Sequence, residues 1–515
     1  MHHWGESLLG YYVGDDQWVL RKHAQMLADA RVDTLIFDTS NKLIFENYYT
    51  ALFDVLMEVR REGNATPDMA FLAPFWDPGS TVQELYDKLY SKGLFRELWF
   101  EWNGKPLILA NPDQVNPEIR DFFTFRRPQP SYHHGPVHFD EKGYHPELGI
   151  RPNMWAWLEV YPQHVFPNDR GEKEQMAVGV AQNAIRDPNA PPTGDSMGLR
   201  TGCLSESGSL GRSYHAVEHG EAPNSVLYGY NFAEQWEHAL REDSKFIFVT
   251  GWNEWLGERL DEFMGVKQPV LFVDTFDHEH SRDVEPMKGG HGDNYYYQMV
   301  SYIRRYKGAR PLRAASPIKT IDLKGSFSQW DDVRPEYRDT IGDTFHRDHH
   351  GYGTVTRYVN TSGRNDFVLM KVARDPGTVY FYAKTKERIT PYSGPNWMML
   401  FINISCNSNT GWHGYDFVVN RWVKDANTTM LEYTRNGWNW QSWAEVKYRL
   451  KGNELMLAIP RRALAIAPGE TDLQFEFKWA DNIQNEDSID EFTINGDSAP
   501  SGRFNYLYVA NEGMR

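Results

Sequence analysis

The chain has 515 residues, 41% of them hydrophobic and 24% charged. Such a composition buries a large core and excludes disorder over most of the length. Lys and Arg number 54 against 70 Asp and Glu, a formal charge of −16, which argues against a dedicated nucleic-acid binder or a binder of anionic membranes, since both need a basic surface.

The opening residues, Met1-His2-His3-Trp4-Gly5, have neither the charged nor the apolar region of a signal peptide. The expectation is a periplasmic or secreted protein if a leader has been removed, and a cytoplasmic one otherwise. Short apolar runs then alternate with helical patterns. Strands are expected at residues 8–13, 32–38, 69–75, 98–101, 106–110, 155–160, 176–181, 246–250 and 270–273, and helices at 19–30, 47–62, 82–91 and 231–241. Continuous apolar strands that alternate with helices imply a parallel sheet covered on both faces. About eight such units over ~300 residues suit a (β/α)8 TIM barrel better than an open doubly wound sheet. The first strand ends without a Gly-rich phosphate fingerprint. Residues 132–151, rich in His, Pro and Gly, and 184–224, rich in Gly and Ser, read as long loops over the active face. No apolar run reaches the ~18 residues of a membrane-spanning helix.

Pro, Gly and Arg cluster at 307–316, and the texture then changes to short strands at 368–372, 378–383, 398–404, 415–419, 454–459 and 473–478. This is the pattern of an all-β sandwich. The expected organisation is a catalytic barrel over 1–312 and a β-sandwich over 317–515. The two cysteines, Cys203 and Cys406, are too far apart for a disulfide framework or a cysteine zinc site, and free thiols, mostly buried, are expected.

The sharpest segment is FIFVTGWNEWLGE, in which an apolar strand runs into Trp252-Asn253-Glu254-Trp255. Polar residues at the C-terminal end of a barrel strand face the active mouth. A carboxyl between two indoles is partly desolvated, which lifts its pKa toward the range useful for proton transfer. Asn253 can donate to a sugar hydroxyl, and Trp252 and Trp255 can flank a sugar ring. Glu258 follows four residues later; if a helical turn begins there, the two carboxylates share a face. Their separation would then decide between retaining and inverting glycoside hydrolysis.

This motif, with Glu285-Pro286 downstream, resembles the clan containing glycoside hydrolase family 99, the endo-α-mannosidases, and relatives encoded in O-antigen clusters. The resemblance implies that Glu254 is the base that polarises a sugar hydroxyl. The family's second Glu falls three residues on, where this chain has Gly257, with Glu258 one position further. The acid therefore stays open among Glu258, Asp38 and Glu285. Asp38 ends the second strand in a polar cluster that includes Asn41. Asp15, Trp155 and Glu159 are further candidates for substrate binding. Arg126, Arg127, Arg282 and Lys288 would suit an anionic substituent.

In the acidic stretch 274–293, Asp277, Glu279, Asp283 and Glu285 could line the site or hold a structural Ca²⁺ through oxygen ligands, but the spacing matches no EF-hand loop. No catalytic metal or other cofactor is expected. The second domain resembles sandwich carbohydrate-binding modules of the family 9 kind through residues 396–420, and Trp397, Trp412, Trp438, Trp440 and Trp443 cluster around its turns. The leading expectation is a glycoside hydrolase acting on a polysaccharide or complex glycan. The alternatives are a glycosyltransferase on the same scaffold and a non-catalytic glycan-binding protein.

Overall fold

The computed structural model describes residues 2–129, 138–140, 143–145, 149–187, 189, 192–193, 197–216, 223–263, 265–353, 356–467 and 470–511. Most of the expected loop at 132–151 and part of that at 184–224 lie outside the described residues. The chain forms two compact units. One comprises the N-terminal stretch to Asp15, Met26–Met57 and Thr66–Ala309; the other comprises Asp16–Gln25, Glu58–Ala65 and Arg310–Arg515. A single cut between 312 and 317 therefore does not separate them.

In the first unit, Thr34–Asp38, Asp68–Leu72, Lys105–Leu109, Thr124–Gln129 and Met154–Ala156 pair in parallel in that order. Lys173–Gly179 and Phe246–Thr250 form a second parallel run. Helices Gln17–Asp29, Glu46–Arg61, Gly79–Leu85, Tyr230–Glu242 and Asn294–Lys307 alternate with the strands. Strand residues two apart point to the same face. Leu107 and Leu109, Ala70 and Leu72, Trp155, Ile36, Phe246 and Phe248 thus converge in one buried cluster. Side chains from both parallel runs meet there, so the strands curve around a common barrel-like interior.

Three expected strands are corrected. That at 98–101 gives way to a 3-10 turn, Arg96–Leu98, and the short strand Glu101–Trp102. Residues 8–13 are irregular, because Gly10 takes φ 87° and its N–H bonds back to the Ser7 carbonyl, turning the chain. The apolar residues near 270 belong to Val266–Phe272, the return arm of an antiparallel hairpin with Arg259–Phe263; Gly265, with φ 80°, turns it. The described parallel strands therefore number seven, in two runs. The expected loop at 184–224 contains small antiparallel pairings, Gln182–Arg186 with Met197–Thr201 and with Ser209–Leu210.

The second unit is built on an eleven-stranded antiparallel sheet. The six expected strands appear as Phe367–Arg374, Thr378–Thr385, Met399–Asn403, Phe417–Asp425, Glu454–Pro460 and Leu473–Asp481. Thr378–Thr385 and Leu473–Asp481 are far apart in the pairing order, yet Phe381 packs on Phe475 and Phe477 with ring centroids 5.8 and 5.7 Å apart. The sheet folds back on itself, and one large apolar core fills the space between its halves. Trp397 is buried there and Trp412 in a separate cluster with Phe401 and Tyr415; Trp438 and Trp440 are half-buried and Trp443 is exposed. Cys203 is buried and Cys406 half-buried, and both are free thiols.

Candidate active site

The Phe246–Thr250 strand delivers Trp252, Asn253 and Glu254 at its C-terminal end. A second segment runs alongside: Gly251 N–H donates to the Arg282 carbonyl and Glu285 N–H to that of Trp252, at 2.9 and 3.0 Å. This pairing lays Arg282 across the mouth of the strand. Its guanidinium meets Glu254 Oε2 through Nη2 at 3.0 Å and Asp274 Oδ1 through Nη1 at 3.0 Å. Nη1 also donates to Asn183 Oδ1 at 2.6 Å, and the guanidinium lies 5.0 Å from the Trp157 ring centre. Asn183 Nδ2 in turn donates to Asp274 Oδ1, closing the network.

Arg282 is itself buried, whereas the side chains of Glu254 and Asp274 are 45% and 35% exposed. Burial nevertheless raises the pKa of Glu254 well above the usual carboxylate range. The charges of Asp274, Asp283 and Asp38 push in the same direction, and Arg282 opposes them. Asp38 is also open to solvent, and burial, with Asp274, raises its pKa too, against hydrogen bonds from Ser40. Both carboxyls are thus within reach of water yet largely surrounded by protein. Asp38, Glu254 and Asp274 thus form a group of accessible acids around one buried cation. Asp283 backs them from the interior, where its carboxylate accepts a hydrogen bond from the Glu254 N–H.

The other sequence candidates divide sharply. Glu285 is buried; it accepts Ser7 Oγ at 2.6 Å, Tyr12 Oη at 2.7 Å and Trp255 Nε1 at 2.6 Å. This donor set fixes a structural carboxylate and removes Glu285 from the candidates for the acid. Trp255 is buried and stacks on Trp4 with ring centres 4.6 Å apart, so it cannot carry a sugar ring. Trp155 lies wholly inside the barrel-like interior, with Nε1 donating to Glu174 at 2.7 Å. Glu159 is buried and accepts both the backbone N–H and Nδ1 of His164. All four side chains are buried among protein partners, which the sequence around them does not reveal.

Glu258 is exposed, but Leu256–Gly257 before it is a strand rather than a helical turn. The expected shared helical face with Glu254 is therefore absent. Asn253 is exposed at the mouth and donates to Tyr12 Oη at 3.0 Å, and Trp252 is half-buried beside it. Asp15 and Asn41 are exposed in loops that follow residue 13 and the Thr34–Asp38 strand. Of the four basic candidates, Arg126 pairs with Glu174, Arg127 with Asp113 and Lys288 with Glu6; Arg282 alone joins the carboxylates. In the acidic stretch, Asp277 is held by His280 and Glu279 by Ser213.

Sequence reasoning missed Asp274 and Asn183 and gave Arg282 a different task. The available signal for Asp274 was its position directly after an apolar run.

No protein-family model matches the chain, and no curated protein does. Among solved structures, it is similar to the GH99 endo-alpha-mannosidase from Bacteroides thetaiotaomicron, at 15% identity over 60% of this chain and 85% of that one, with a TM-score of 0.34. A second structure of that endo-alpha-mannosidase, in complex with bis-tris-propane, is similar at 14% identity over 60% of this chain and 91% of that one, with a TM-score of 0.33.

Proposed function

We propose that the protein is a glycoside hydrolase that cleaves a polysaccharide or complex glycan by carboxylate acid/base catalysis. One observation carries this reading. Glu254 stands solvent-accessible at the end of a parallel strand, with its pKa raised, and shares the Arg282 guanidinium with Asp274. Two carboxyl groups whose environments differ can divide acid and base work between them. The sequence alone casts Glu254 as base or nucleophile. Its raised pKa favours the opposite role, since a carboxyl that holds its proton more tightly than usual can give it to a glycosidic oxygen. Asp274 and Asp38 are the partner carboxylates, placed to assist a water or to stabilise the positive charge that develops on the sugar. Asn253 and Trp252 are at hand for a hydroxyl and a ring face.

The test is release of reducing ends from a panel of polysaccharides and oligosaccharides by the wild type and by Glu254→Gln. The expected loss in kcat/KM is about 10²–10⁴-fold, the usual contribution of a positioned proton donor, with glycan binding retained. Unchanged turnover in the variant would remove Glu254 from the chemistry. Glycan binding without turnover across the panel would support the non-catalytic reading, and consumption of a nucleotide sugar would support the transferase.

A further inference from the structure

A second group of acids lies in the sandwich unit, in a part of the sequence with no metal motif. Asp339 follows the short strand Tyr337–Arg338, Asp343 lies in the turn after it, and Asp497 opens the strand Asp497–Ala499. Each offers one carboxylate oxygen, and these oxygens lie within 4.8 Å of one another. A Ca²⁺ ion holds its oxygens at about 2.3–2.6 Å, so two ligands on opposite sides of one ion are roughly 5 Å apart. The group is the right size for a single ion.

The hydrogen bonds supply the second observation. Asp343 Oδ2 accepts Gln25 Nε2 at 2.8 Å, and Asp497 Oδ2 accepts the Phe367 N–H at 2.6 Å. Asp366 stands beside Asp343, and its Oδ2 accepts the Gly342 N–H at 2.9 Å. In all three, Oδ1 is buried and meets no donor. All three residues are themselves more than nine-tenths buried. One oxygen of each carboxylate is thus anchored and the other left bare. Metal ligands are oriented in this way, by outer hydrogen bonds that fix one atom while another faces the ion. The alternative, bare buried carboxylate oxygens with nothing opposite, carries a heavy desolvation cost. Burial raises the pKa values of Asp343 and Asp497; at Asp497 the charges of Asp343, Asp339 and Asp366 push the same way, whereas a hydrogen bond between the Asp343 and Asp497 carboxyls lowers that of Asp343. Lys22 lies in electrostatic reach of Asp343, and Lys386 and Glu62 in reach of Asp366. Hard oxygen donors with no nitrogen or sulfur among them select a hard cation.

We propose that Asp339, Asp343 and Asp497, with Asp366 alongside, bind one Ca²⁺ ion that ties the start of the sandwich to its last strands. Its role is structural. The test uses the full chain, stripped with EGTA and then titrated with CaCl₂ while thermal unfolding and isothermal heats are followed. The expected result is one ion per chain and, at roughly 100 times Kd, a rise in Tm of about 5 °C. Asp343→Asn and Asp497→Asn should weaken binding at least about 10-fold and remove most of the Tm response. Asp339→Asn, at the least buried ligand, gives the same readout if the two buried variants do not fold. An absent Ca²⁺ response in the wild type overturns the proposal. So does a response that survives unchanged in all the variants that fold, because the ion would then sit elsewhere.

Discussion

At the scale of single residues, Arg282 is the pivot of the candidate active site. It lowers the pKa of Glu254, whereas Asp274 raises it. The two neighbours should therefore move the pH profile in opposite directions. If Glu254 is the proton donor, the rate falls as pH rises through its pKa, because the ionised form has no proton to give. Arg282→Gln removes a stabilising cation, so the alkaline limb of kcat/KM should move to higher pH. Asp274→Asn removes a like charge, so the limb should move to lower pH, alongside whatever activity is lost with the carboxylate. A pH–rate series on the two variants checks both signs. Limbs that move together would show that the titrating group is not Glu254. The prominence of Glu254 was legible from its neighbours in sequence, Trp252 and Trp255. Its partners were not, since Asp274, Arg282 and Asn183 come from segments that meet only once the chain has folded.

At the scale of elements, the two runs of parallel strands share a buried ion pair. Arg126 on Thr124–Gln129 meets Glu174 on Lys173–Gly179 at 2.6 Å, and Trp102 and Trp155 each donate an indole N–H to the same carboxylate. Burial alone would raise the pKa of Glu174, yet Arg126 and the two indoles hold it below its ordinary value. Removal of one partner leaves the other charge buried and uncompensated, which costs about 3–5 kcal/mol. Arg126→Met should therefore lower stability by that order, read by denaturant unfolding. The double variant Arg126→Met/Glu174→Leu should recover part of the loss, because no bare charge remains. This strand was missed in the sequence, where Arg126 and Arg127 read as partners for an anionic substituent. Phe246–Thr250, by contrast, was legible to the residue because five apolar or β-branched positions run without interruption between turn signals. The strand expected at 8–13 failed for the complementary reason: its composition is apolar, but Gly10 adopts a backbone conformation that no strand contains.

At the scale of the whole molecule, two kinds of texture were visible from the start, and the change near Ala309 is real. What the sequence could not reveal is that two early pieces, Asp16–Gln25 and Glu58–Ala65, belong with the later unit. Only long-range partners show it: Arg347 Nη2 meets the buried Asp16 carboxylate at 2.7 Å, and Asn64 Nδ2 donates to the Ile341 carbonyl at 2.8 Å. Gln25 is also the residue that steadies Asp343. A fragment of residues 310–515 lacks all of these partners, and loses with Asp16 the Trp18 ring that lies 5.0 Å from the Arg347 guanidinium. Its Tm should fall well below that of the intact chain; calorimetry of the fragment beside the full protein checks this. Addition of a peptide spanning 16–25 should restore part of the difference.

All of the first piece but Asp16 lies within the Gln17–Asp29 helix, whose remaining residues belong to the other unit. This divided helix bears on how such a protein can be inherited. A sandwich copied by recombination into another gene would arrive without ten residues encoded some three hundred codons upstream. The sandwich is therefore not a portable cassette, and the two halves of this chain are expected to have changed together, each substitution in the early helix answered by one near the carboxyl end.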